Sequence, residues 1–486
     1  MTEKSNSLKT TGLSASINRK SFLIANLMLL AVNLAVFAVV SEHPERIGTP
    51  DEYSTIAQSI AFNGKYARYP IPFPEWESTT SYGRWVYRSA EPDAIRVPGY
   101  PVFLASFYKA FGYGKIVPVV ANILVRMLAV NLVMLIFFRS FNPAMAVFFG
   151  VVNALDLSSL VYTFQLASEI LFAFFLVASL LFYRKFSEAG NKGHLFVSFV
   201  LAGITVLVRA VAVLFPFVLL AAAVLKEKKN ALKICAGFIL ALSLTLGPWV
   251  YRNYRVFNVP GLTAISGFNM FYHNAACTYM MERPGTSEYD AQNAMEREFA
   301  SVIEKEEFRN KNSFEKSIIL GRLGREYIMN RKLSYLKIHL KGSILSLTQS
   351  AGPIMLLLTG ESRGTGILGK AVFRKKADTL GYFLSAIFIF YNLSLLCLYL
   401  LAILGLAKLA GKKGGNNLNF LIACVILYFL ILPGPAVFTS FERFRAPVMP
   451  LILFFSSYGL FGGKIPLSPP FAKGEKIYSP PLAKEG

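Results

Sequence analysis

The sequence is poor in the residues that hold metals or cross-links: four cysteines and four histidines in 486 residues, neither type clustered. Cys235, Cys397 and Cys424 lie in apolar runs and only Cys277 lies in a polar segment. No disulfide framework or CxxC metal site is therefore available. His43, His194, His273 and His339 show no HxH or HxxxH spacing, which leaves carboxylates as the side chains able to hold a hard cation. Acidic residues are also scarce, 28 against 50 Lys and Arg. The net charge of +22 raises the question of nucleic acid, but no RNA- or DNA-reading motif accompanies it, so no nucleic-acid partner is expected. Charged residues make up 16% of the chain, where a soluble protein carries about a quarter. What fills the space is apolar: 54% hydrophobic residues and a mean hydropathy of +0.47. The composition is that of a polytopic membrane protein.

The apolar runs and the basic residues between them give a topology. Residues 1–20 are polar and basic, and 21–40 form one run of bilayer length, long for a signal-peptide core and read as an uncleaved anchor with its N-terminus in the cytoplasm. Further spans are expected at about 115–138, 143–163, 166–183, 194–209, 211–225, 231–250, 380–407, 418–437 and 446–462. Tyr100–Phe111 is apolar but short and suits an interfacial helix. Arg139, then Arg184, Lys185 and Lys192, then Lys226, Lys228, Lys229 and Lys233, mark cytoplasmic connections. Residues 318–347 form a basic amphipathic pattern, and treating 344–358 as interfacial or re-entrant keeps the later Lys clusters cytoplasmic. The expected fold is all-α, with about ten transmembrane helices, interfacial helices and both termini inside. In segments this gives a cytoplasmic N-terminus at 1–20 and a membrane core at 21–250 containing the first outer loop 41–98. An outer-face region at 251–379, terminal spans at 380–463 and a Pro-rich tail at 464–486 follow.

Chemistry concentrates in the first loop. Between Glu42 and Arg96 stand eight acidic and six basic residues, and a charged loop tethered between apolar spans is a place for reaction at a membrane surface. Thr49-Pro50-Asp51-Glu52-Tyr53 reads as a helix start. Asp51 and Glu52 either complement the dipole of that helix or supply a general base for an acceptor hydroxyl. Glu169 and Arg209 fall within predicted spans, where charges are costly and face a cavity or a partner. An ion pair between these two is the structural alternative. Under the ten-span topology Arg96, Arg209, Arg252, Arg443 and Arg445 share the outer face. Arginine forks aimed at one point hold a phosphate, so the set suggests a phosphorylated ligand arriving from the bilayer.

Several motifs then resemble the C-type (GT-C) glycosyltransferases, nearest to bacterial members of the protein O-mannosyltransferase-like family that includes the lipid A aminoarabinose transferase. They are Asp51-Glu52-Tyr53 with its continuation to Gly64, Arg96-Val97-Pro98-Gly99-Tyr100-Pro101, Ser168-Glu169 opening a span, and Leu207-Val208-Arg209. Gly247-Pro248-Trp249-Val250-Tyr251-Arg252-Asn253 and Arg443-Phe444-Arg445-Ala446-Pro447 complete the series. The resemblance implies an enzyme that moves a sugar, with inversion, from a polyprenyl-phosphate carrier to a lipid, glycan or protein acceptor on the outer face of an inner membrane. By position Asp51 would be the base beside Glu52. Glu169 would position the acceptor or hold a divalent cation, Mg or Mn. Arg96 and Arg209 would face the carrier phosphate. A departure from the family is the long aromatic loop between Tyr66 and Glu91, which suits either carbohydrate or an interfacial belt. A transporter or lipid flippase, and a polysaccharide polymerase or ligase, stay open as alternatives.

Overall fold

The structure is a computed structural model that describes residues 2–48, 53–68, 92–137, 142–349, 351, 355, 379–410, 416–432, 434–436 and 441–462. Asp51, Glu52, most of the aromatic loop and the Pro-rich tail lie outside the described residues. What is described is helical, and no strand occurs among these residues beyond an isolated antiparallel bridge between Ala67 and Pro92.

Each of the ten expected spans falls on a helix or a helix pair. Six are long and apolar enough to cross a bilayer: Arg19–Ser41, Ile116–Ile136, Glu169–Ala189, Lys228–Phe257, Ala386–Ala410 and Glu442–Phe461. A seventh arises if Pro143–Leu155 and Leu157–Thr163, bent by 56°, count as one span. Lys192–Val208, Ala210–Lys226 and Leu418–Ile431 are apolar but shorter. Local chemistry explains the ends and breaks. Asn142 caps the helix Pro143–Leu155 by accepting from Met145 N, with Pro143 at its first position. Asp156 sits in the bend and caps the following turn by accepting from Ser159 N at 2.8 Å. Asn258, with φ of 57°, ends the helix Ala231–Phe257 in the left-handed conformation that asparagine tolerates.

The spans are not equally enclosed. Of the window that defines Ala386–Ala410 only 11% is buried, against 83% for Glu442–Phe461, so the last span is the centre of the bundle and carries its Glu-Arg-Phe-Arg entrance inside. It packs against Thr379–Ala410 and Pro143–Leu155. Gly405 and Gly459 meet at the first of these contacts, where a Cβ on either would strike the other helix's backbone at about 2 Å. Close helix approach through small residues is the packing that apolar lipid favours. Large apolar side chains left outside, such as Phe390 at 72% exposure, belong in hydrocarbon. The chain is a multi-pass membrane protein.

A second apolar core lies apart from the bundle core, built from Phe257, Phe268, Phe271, Met295, Leu320 and Tyr327 with Ala94 and Ile95 of the first loop. Hydrogen bonds to backbone carbonyls stitch the two segments: Ala264 N donates to Ala94 O at 2.8 Å and the Thr263 hydroxyl to Ile95 O at 2.5 Å. The sequence reading placed 41–98 and 251–379 on one face; these segments do meet.

Candidate active site

The site is built where helices break. Lys192–Val208 stops at Arg209, whose φ of −147° and ψ of 117° turn the chain into an extended step, leaving its side chain at a helix end. Arg443 lies in the short turn Phe441–Phe444 ahead of the central helix. Glu169 opens the helix Glu169–Ala189 and is fully buried. Its Oε1 accepts from both guanidinium groups, Arg209 Nη1 and Arg443 Nε, so one carboxylate is gripped from two elements remote in sequence. The arginine side chains keep exposures of 9% and 13%, and Arg209 also lies over the rings of Phe172 and Phe444 at 6.0 and 5.4 Å. Two cations share one anion in a dry setting, where electrostatic forces are strong.

The first loop reaches this cluster through Tyr53. Its hydroxyl lies 3.3 Å from Ser168 Oγ, which in turn lies 3.5 Å from Arg209 Nη1. The Tyr53 ring packs edge-on against Tyr100 at 5.1 Å, and the Arg96 guanidinium stands 5.9 Å from its centroid. Asp51 and Glu52 precede Tyr53 by two and one residues in sequence.

Arg96 is positioned by Asp93, a residue the sequence reading did not single out. Asp93 Oδ1 pairs with buried Arg68 at 2.6 Å, and Oδ2 accepts from the backbone nitrogens of Ile95 and Arg96 at 3.1 and 2.7 Å. Tyr66 donates to Arg96 O at 3.0 Å. Burial holds that phenol well above its ordinary pKa, so it stays a donor. Gly99, in the turn that follows, presses on the break before Arg209: a Cβ there would lie 2.7 Å from Leu207 O and 2.8 Å from Val208 Cγ2. The Val-Pro-Gly turn and the Arg209 turn therefore fix one another.

The other two arginines have different surroundings. Arg252 donates to the carbonyls of Asp93 at 2.8 Å and Tyr66 at 3.1 Å and lies over Tyr66, Trp249 and Phe257, tying a helix end to the first loop. Arg445, fully buried, donates to the carbonyls of Ser346, Leu347 and Gln349 and to Ser158 Oγ. It thereby caps the C-terminus of Lys332–Thr348. Of the five arginines, Arg209 and Arg443 grip Glu169, Arg96 joins them through Tyr53, and Arg252 and Arg445 bind backbone elsewhere. Among the described residues no group of three His, Cys, Asp or Glu could hold a metal ion.

Residues 92–251 match the family model described as dolichyl-phosphate-mannose-protein mannosyltransferase. That segment holds Asp93, Arg96, Glu169 and Arg209 and ends one residue before Arg252. No curated protein matches the chain. Among solved structures, the chain is similar to the archaeal oligosaccharyltransferase AglB from Archaeoglobus fulgidus, in complex with an inhibitory peptide and a dolichol-phosphate. The identity is 14% and the TM-score 0.44, with 89% of this chain and 50% of that one covered. The apo oligosaccharyltransferase of the same organism gives 12% identity, a TM-score of 0.47 and coverage of 91% and 50%. ArnT from Cupriavidus metallidurans bound to undecaprenyl phosphate gives 15%, 0.37 and coverage of 89% and 77%. The chain spans about half the length of the oligosaccharyltransferases it matches.

Proposed function

We propose that this protein is an inverting glycosyltransferase that moves a sugar from a polyprenyl-phosphate carrier to a lipid, glycan or protein acceptor. The observation that carries the reading is the Arg209–Glu169–Arg443 cluster, buried at helix breaks and joined by Tyr53 to the first loop. The family match over residues 92–251 supports it. The distribution of Lys and Arg supports cytoplasmic termini and a reaction on the outer side, and the family resemblance supports an inner membrane as the location.

In the reaction the acceptor oxygen attacks the anomeric carbon as the bond from that carbon to the carrier phosphate oxygen breaks. The bonding pair leaves with the phosphate. A lipid monophosphate needs positive charge rather than a proton to depart, and Arg209, Arg443 and Arg96 supply it. Glu169 holds two of these guanidiniums in place and keeps their mutual repulsion in check. The acceptor's proton goes to Asp51, with Glu52 beside it, assigned from the sequence resemblance. Arg252 and Arg445 act one step back, by fixing the first loop and the entrance to the central helix.

The test is transfer by the purified protein in detergent, from radiolabelled polyprenyl-phosphate sugars to a membrane extract. Label should move with wild type and fail to move with Asp51→Asn. Transfer by both would remove Asp51 as base. Failure of wild type across a panel of sugars, with carrier movement in liposomes, would replace the enzyme by a flippase.

A further inference from the structure

Glu442 lies in the short turn ahead of the central helix, and the reaction above does not use it. It is fully buried; among the described residues neither oxygen makes a well-formed hydrogen bond, and the hydroxyl beside it is that of Tyr162. The cations that follow it in sequence spend their hydrogen bonds on other groups, Arg443 on Glu169 and Arg445 on three backbone carbonyls and Ser158, although the Arg445 charge still attracts it through space. Glu169 Oε2 is also without a hydrogen-bond partner among the described residues, although Oε1 of the same group has two. Tyr162, itself 4% exposed, lies within the field of Glu442, Glu169, Arg443 and Arg209 together. Orphaned acceptors therefore accumulate next to the arginines assigned to the phosphate.

A buried carboxylate with only the Tyr162 hydroxyl beside it leaves most of its acceptor capacity unused, which is costly. What it can still take up is further hydroxyl donors. A sugar linked through its anomeric carbon to a phosphate carries hydroxyls within a few bonds of that phosphate. A carboxylate with two free oxygens accepts from adjacent hydroxyls through charge-assisted hydrogen bonds. We infer that Glu442, with Tyr162 and the free Oε2 of Glu169, forms the subsite that recognises the hydroxyls of the donor sugar. The inference rests on the transferase reading and adds to it the residues that choose the sugar.

The experiment compares wild type with Glu442→Gln, using polyprenyl-phosphate mannose, polyprenyl-phosphate glucose and the monodeoxy analogues of each. Transfer and the melting temperature with and without donor are both measured. Glu442→Gln should melt no lower than wild type without donor, because a costly buried carboxyl has been replaced by a neutral amide of the same shape. It should lose the stabilisation that donor confers. Removing the recognised hydroxyl should lower kcat/KM of wild type by about ten- to a hundredfold, and Glu442→Gln should nearly abolish that penalty. Equal deoxy penalties in the two proteins overturn the subsite and leave the transferase intact. A large fall in the melting temperature without donor overturns it in favour of a structural role. Absence of both transfer and donor-induced stabilisation in wild type sinks the transferase reading and the subsite together.

Discussion

Replacing Glu169 by glutamine preserves shape and removes the one negative charge between Arg209 and Arg443. At about 4 Å and an effective dielectric near 20, each attraction so lost is worth about 4 kcal/mol. Desolvation of the carboxylate offsets part of this, and breaking a buried pair while leaving its partner charged has a net cost of about 3–5 kcal/mol. Here two partners are left, and they face each other. Thermal unfolding of the purified variant in detergent should show a clear fall in melting temperature. The variant's site also carries one more unit of positive charge, so added polyprenyl monophosphate should raise its melting temperature by more than it raises that of wild type. An unchanged melting temperature, or a smaller rescue by the phosphate lipid than in wild type, would refute the claim that Glu169 restrains two phosphate-facing arginines.

Arg445→Ala should lower the melting temperature through a loss of about 3–5 kcal/mol, because three helix-end carbonyls and a hydroxyl lose their donor at once. Arg445→Lys should recover only part of it, since an ammonium lacks the planar fork. Gly99→Ala should cost about 1–3 kcal/mol as backbone shifts to clear Leu207 and Val208, and should weaken carrier binding by displacing Arg209; unchanged carrier affinity would separate the two turns. Burial pushes the Cys277 thiol up from 9.0 to about 12, so the reactive thiolate is scarce below that pH. Site-resolved mass spectrometry should find Cys277 labelled at pH 8 about a thousandfold more slowly in the native protein than after denaturation, with labelling rising only as pH approaches 12.

The spans were legible because a bilayer demands about twenty apolar residues in a row, and no tertiary contact is needed to see that. Glu169 and Arg209 were legible for the complementary reason, as charges too expensive to strand in an apolar run. Their pairing was one of two readings the sequence left open, and the structure shows the pair together with Arg443 as a third member. Length was the weak point: three of the expected spans are shorter helices, and hydropathy alone does not report where a helix breaks. Tyr53 and Ser168 stood in the motifs that carry the resemblance, but their roles were not legible because these depend on a contact between residues 115 apart. Arg252 and Arg445 looked like Arg96 in sequence, and only the folded chain shows carbonyl partners for both. Asp93 and Glu442 escaped notice for different reasons: one stands in a stretch crowded with acids, the other just ahead of two arginines that drew the attention to themselves.

The most direct test of the account is binding of polyprenyl monophosphate and of the uncharged polyprenol to wild type, Arg209→Gln and Arg443→Gln, followed by thermal stabilisation in detergent. If the cluster holds the carrier phosphate, wild type is stabilised by the phosphate lipid and not by the alcohol. Each glutamine variant should then lose at least about tenfold in affinity, the worth of one charge-assisted contact. Equal stabilisation by phosphate and alcohol, or unaltered phosphate binding in both variants, would contradict it.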